Sequence, residues 1–169
     1  MKKQEYEQLL QLPPQEYCNK VCELFPRNTE YAYATDKPFA ECEPDEIVYV
    51  PEKGFDDLPL DFTYYTKQDL LDLCNGCEEL AEYIFESLEW QYPETYLEEL
   101  CNNFTDIVID YNFTKVATSP IAKTLYEMLS VEEQAQVLRE VVRYEVNKTI
   151  KRIEELRKQN TWQDKRSML

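Results

Sequence analysis

Gly54 and Gly76 are the only glycines in a chain of 169 residues. Glycine-rich phosphate loops and doubly wound nucleotide folds need several, because their backbones turn left-handed and approach phosphates closely. Those architectures are excluded. Nine prolines then cut the chain into short segments, since proline removes a backbone donor and ends helices. What remains up to Pro120 is a set of short elements that pack on one another.

Residues 2–11 read as a short amphipathic helix halted by Pro13 and Pro14, and residues 15–25 as a second with Tyr17, Val21, Leu24 and Phe25 on one side. From Pro26 to Pro59 the texture changes to alternating Tyr and Val, as in residues 30–34 and 46–51, broken by Pro38, Pro44, Pro51 and Gly54. That pattern is strand and turn. Thr66 with Asp69 forms a capping box at the start of a short helix, and Asn75-Gly76 supplies a left-handed stop. A second helix is expected from Cys77 to Trp90, and a third from Pro93 to Cys101 with proline in its first turn.

Residues 105–116 read as a strand, with a hairpin turn near Asn112. Ser119-Pro120 open a helix to Leu129, and Ser130 with Glu133 caps a last helix from Val131 to Gln159. Leu138, Val142, Val146, Ile150, Ile153 and Leu156 follow one another by four, four, four, three and three, which makes one continuous apolar stripe. The expected fold is α+β and mainly helical. It has a small antiparallel sheet from residues 30–65 and 105–116, a three-helix unit at 66–102 and a long C-terminal helix. One acidic domain is expected over 1–159, with a loose tail at 160–169.

Charge carries the functional signal. The first 138 residues hold 29 Asp and Glu against 9 Lys and Arg, and the last 31 hold 5 against 9. With 43% hydrophobic and 13% aromatic residues, the acid covers a folded body rather than a disordered tail. A field of this sign repels nucleic acid and anionic membrane and attracts the proteins that bind them. No apolar run reaches the roughly 18–20 residues that cross a bilayer. The opening residues lack the apolar region of a signal peptide, so the cytoplasm is the expected location.

Other chemistries find little support. Cys18, Cys22, Cys74 and Cys77 could be weighed as a zinc site, but the first pair is spaced i, i+4 and the chain has no His. The acidic clusters lack the alternating acids and central glycine of a calcium loop. No metal or other cofactor is expected. With no His, no nucleophile elbow and no lysine-bearing phosphate loop, the chain offers no catalytic residue and is expected not to be an enzyme.

Partner binding is the remaining class. On the expected helix 77–90, Leu80, Ala81, Ile84, Phe85 and Leu88 occupy a core sector, while Glu78, Glu82, Glu86 and Glu89 share another, with no Lys or Arg in the row. Each four-residue step rises about 6 Å, close to two nucleotides of a DNA strand at about 3.4 Å each. Glu94, Glu98 and Glu99 extend the set along the next helix. The row is either a phosphate mimic or a solvated face of an acidic protein.

The segment Tyr65-Thr66-Lys67-Gln68-Asp69-Leu70, with Asn75-Gly76, Glu79, Ala81-Glu82, Phe85-Glu86 and the run from Trp90 to Thr95, resembles small accessory proteins of Gram-positive phages and integrative elements. Where those proteins carry Asn before the second helix, this chain has Cys77, a weaker N-cap. The resemblance implies a mobile-element origin, a bacterial host and no reaction. By analogy of charge and setting it points towards inhibitors of the anti-CRISPR or anti-restriction type. Their partner would be a basic nucleic-acid-binding protein, first a Cas9-type nuclease, with no direct binding to nucleic acid. The alternative is a regulatory or structural module that self-associates as a homodimer through its last helix.

Overall fold

The computed structural model describes residues 1–24, 33–51, 63–89, 91–110 and 118–166. They form a mainly helical α+β protein with a two-stranded antiparallel sheet. The chain divides into two compact units, residues 1–100 and 101–169. The acidic cluster Asp56, Asp57 and Asp61, the strand expected at 30–32 and the turn near Asn112 lie outside the described residues.

Unit 1 is organised around a short strand, β1 (Ile47–Tyr49), paired antiparallel with β2 (Tyr65–Thr66). Ile47 faces Thr66 and Tyr49 faces Tyr65, so Val48 is the extra residue of a bulge. All three residues of β1 are buried, so the strand is covered on both faces and does not show the one-sided burial that alternation would give. The other edge of β1 is covered locally. Tyr33 bridges Tyr49, and the Ala34 N–H donates to the Val48 carbonyl at 2.9 Å.

Two N-terminal helices close one side. In α1 (Lys3–Leu9), Tyr6 and Leu9 are buried, and α2 (Pro14–Leu24) takes Pro14 as its first residue, where a missing N–H costs nothing. The Tyr6 and Tyr17 hydroxyls meet at 3.0 Å in a core shared with Ile47 and Val50. After a 3-10 turn (Phe39–Glu41) and the sheet come α3 (Lys67–Leu73), α4 (Glu78–Ser87) and α5 (Pro93–Asn102). The Thr66–Asp69 capping box is formed in both directions, and Asn75 and Gly76 take φ of 51° and 77° as the left-handed stop.

An aromatic file fills the middle of unit 1. The Phe39, Phe85, Tyr33, Tyr49 and Tyr65 rings succeed one another at centroid distances of 5.3, 4.8, 5.8 and 6.4 Å. Such offset and edge contacts add to simple burial. The hydroxyls at the rim hold the next element. Tyr33 donates to the carbonyls of Phe85 and Leu88, and Tyr49 to that of Gln91.

Unit 2 contains α6 (Phe104–Asp110), α7 (Pro120–Met128) and α8 (Val131–Arg166). Here the structure corrects the sequence reading, because residues 104–110 are helical rather than part of a strand. Ile107, Val108 and Ile109 favour strands through their branched side chains. Phe104 and Val108, however, are buried four residues apart, and α6 packs on α8. Tertiary packing outweighs a local preference worth only tenths of a kcal/mol per residue. The Ser119 hydroxyl accepts the Ala122 N–H at the start of α7, and Gln134 donates to the Tyr126 and Leu129 carbonyls at its end. The last helix continues past Gln159 to Arg166, through residues expected to form a loose tail.

Candidate functional site

The acidic surface expected from the sequence falls in unit 1, which holds 24 Asp and Glu against 7 Lys and Arg, a net charge of −17. Unit 2 has a net charge of +1. The carboxylates of unit 1 divide into two groups once their partners are known.

One group is structural. Glu46 is buried, and both of its oxygens accept from the Lys37 ammonium at 2.9 Å. It also accepts the Glu43 N–H at 3.3 Å and lies 4.0 Å from the Met1 amine. Burial pushes the Glu46 carboxyl up, but Lys37 and the Glu43 N–H outweigh it, and the group titrates below its ordinary value. Glu43 and Asp45 both pair with Lys2. Three of the four acids in the 41–46 cluster thus hold the chain start against β1.

The expected row on α4 is modified at both ends. Glu78 is not unrelieved. The Lys67 ammonium lies 3.5 Å from it, donates to the Ala40 carbonyl at 3.2 Å and sits over the Phe39 ring at 5.1 Å. Lys67 is only 7% exposed, so a cation pinned in the core from the first turn of α3 neutralises the start of the row. No sequence spacing announces that pair, because Lys67 and Glu78 are separated by the Asn75-Gly76 turn.

At the other end, α4 stops at Ser87 and Leu88 takes an extended conformation. Glu89 therefore leaves the helix that was expected to carry it. Tyr33 donates to the Phe85 carbonyl in the last turn and to the Leu88 carbonyl just beyond it, satisfying acceptors that the stop leaves open. Leu80, Ala81, Ile84, Phe85 and Leu88 are buried, as their sector requires.

The other group of carboxylates is outward. Glu79, Glu86 and Glu89 are exposed, and Glu82, inside the row, is half-buried. On α5, Glu94, Glu98 and Glu99 are exposed, and Glu94 accepts the Tyr65 hydroxyl at 2.7 Å. Burial and that carboxylate together push the Tyr65 hydroxyl well above its ordinary value. The five residues between α4 and α5 are tied to the core by Tyr33 and Tyr49, which fixes the two acidic helices to one scaffold. Tyr83 and Tyr92 are exposed near these acids in sequence.

Cys42 and Cys74 are buried, Cys77 and Cys101 are half-buried, and Cys18 lies exposed on α2; the Cys22 side chain is outside the described residues. Among the described residues no group of three or more His, Cys, Asp and Glu side chains could hold a metal ion. Burial, helped by nearby Cys77, pushes the Cys74 thiol up to about 12, so it carries almost no thiolate near neutrality. Iodoacetamide should therefore alkylate Cys18 long before Cys42 or Cys74, as read by peptide mass spectrometry over time. Equal rates at Cys18 and Cys74 would contradict this packing.

Among the described residues no helix is long and apolar enough to cross a membrane. No family model, curated protein or solved structure matches the chain.

Proposed function

We propose that the protein is a non-catalytic inhibitor, encoded by a phage or mobile element, whose acidic unit occupies the basic nucleic-acid groove of a defence protein. A Cas9-type CRISPR nuclease is the first target and a restriction enzyme the second; both act in the cytoplasm of the bacterial host. One observation carries this reading. From Gln68 to Leu100, across α3, α4 and α5, the chain has ten Asp and Glu and no Lys or Arg. Glu79, Glu86, Glu89, Glu98 and Glu99 stand exposed on that stretch. Such a surface steers a basic groove towards itself and competes there with phosphates. Tyr83 and Tyr92 offer apolar contact area beside it. Glu78 and Glu94 add charge while holding Lys67 and Tyr65, and half-buried Glu82 adds charge inside the row.

The test is a DNA-cleavage assay with a purified Cas9-type nuclease or restriction enzyme, preceded by capture of partners from a lysate that carries both systems. Glu79→Lys, Glu86→Lys, Glu98→Lys and Glu99→Lys together should abolish inhibition while the protein stays folded, because all four side chains are exposed. Binding should weaken between about 0.1 and 1 M salt, where the Debye length falls from roughly 10 to 3 Å. Excess DNA should displace the protein. Full inhibition by the reversed variant, or a contact indifferent to salt, would rule this reading out.

A further inference from the structure

Among the described residues, the apolar stripe of α8 is left exposed. Val137 and Val141 are the buried residues among the described side chains of that helix, which packs on α6. The stripe begins one residue further round. Leu138, Val142, Val146, Ile150, Ile153 and Leu156 are each between 44 and 61% exposed. From Val142 to Gln159 every side chain is exposed. A lone helix gains most of its stability by burying an amphipathic face, and this one displays such a face to water over about 27 Å.

The charges along α8 indicate what covers it. Residues 131–147 hold four acidic and two basic side chains, whereas residues 148–166 hold three acidic and seven basic. A parallel copy would set basic half on basic half. An antiparallel copy sets each basic half on an acidic half and opposes the two helix dipoles. We infer that two copies of the chain pair through α8 as an antiparallel, two-fold symmetric seam, an inference independent of what the acidic unit binds.

One register satisfies both apolar and charged positions. Centred between Lys148 and Thr149, it interleaves the six stripe residues of one helix with the six of the other, level by level. On one flank, Glu145 comes level with Arg152 of the second copy; on the other, Arg143 comes level with Glu154 of the second copy. Two-fold symmetry makes four such pairs. The local pairs they replace, Arg143 with Glu140 and Lys148 with Glu145, are exposed at 3.7 and 3.6 Å and hold little energy. Arg139 comes level with Lys158 of the second copy near the ends, where water screens the repulsion.

Sedimentation velocity of the full chain over a wide concentration range decides the matter. The wild type should sediment as a dimer that dissociates on dilution. Val146→Lys with Ile150→Lys should be monomeric, while the near-ultraviolet tyrosine signal of unit 1 stays unchanged. Arg152→Glu should weaken the dimer, and adding Glu145→Arg should restore it, because these two positions meet only in the antiparallel register. A monomeric wild type, or a dimer that survives the two lysines, overturns the pairing. A double exchange that fails to restore the dimer overturns its antiparallel register.

Discussion

Tyr49→Ala should destabilise unit 1 by roughly 3–5 kcal/mol, the range for truncating a buried aromatic side chain. Tyr49 is fully buried, and its ring lies between those of Tyr33 and Tyr65 in the aromatic file. Removing it leaves a cavity that neither neighbour can fill without giving up its own hydrogen bond, to Phe85 or to Glu94. Tyr49→Phe serves as the control. It keeps the ring and deletes the hydroxyl that donates to Gln91, at a cost of about 0.5–1.5 kcal/mol. Urea midpoints of the three proteins measure both steps. A loss below about 1 kcal/mol in the alanine variant would mean that the core lies elsewhere.

Glu46→Gln should cost roughly 1–3 kcal/mol at neutral pH, because it strips a buried site of the charge that matches Lys37. The lower half of that range is favoured by the partial exposure of Lys37. The pH dependence has a definite sign. The folded carboxyl titrates below its unfolded value, so its stabilisation is complete above the ordinary glutamate pKa of about 4.3 and is lost as pH falls through the lower, folded value. The gap between wild type and Glu46→Gln should therefore be widest at neutral pH and close in acid. Thermal melts of both proteins from neutral pH downward give that difference directly. Because both carry the other carboxylates, the relief of general repulsion cancels. A constant gap at all pH values would show that the pair contributes nothing.

The local grammar of this fold is legible in its sequence wherever a short-range device fixes the backbone. The capping boxes at Thr66 and Ser130, the turn at Asn75-Gly76 and the prolines that open α5 and α7 all act within four residues. The same is true of the buried sector of α4. What escapes a reading of sequence depends on distant partners. Residues 104–110 become helical because α8 offers them a surface, and an open carbonyl in the last turn of α4 is satisfied by Tyr33 from far upstream. The candidate acidic surface was half legible. Its charge is plain in composition, but the separation of structural acids from outward ones needs Lys2, Lys37 and Lys67 in place. On α8 the apolar period is evident, yet only packing against α6 shows that Val137 and Val141, rather than the stripe, face inward.

The tyrosine hydroxyls that tie α4 and α5 to the sheet also set an order of assembly. The bonds from Tyr33 to Phe85, Tyr49 to Gln91 and Tyr65 to Glu94 close loops of 52, 42 and 29 residues. Each such closure costs chain entropy before its contact returns anything, and folds rich in non-local contacts form slowly. During synthesis unit 1 cannot complete its core until residues through Glu94 have emerged from the ribosome. Its helices wait, individually marginal, for a strand pair that is itself too short to persist alone. Closure of unit 1 therefore waits on contacts made across 29 to 52 residues of chain.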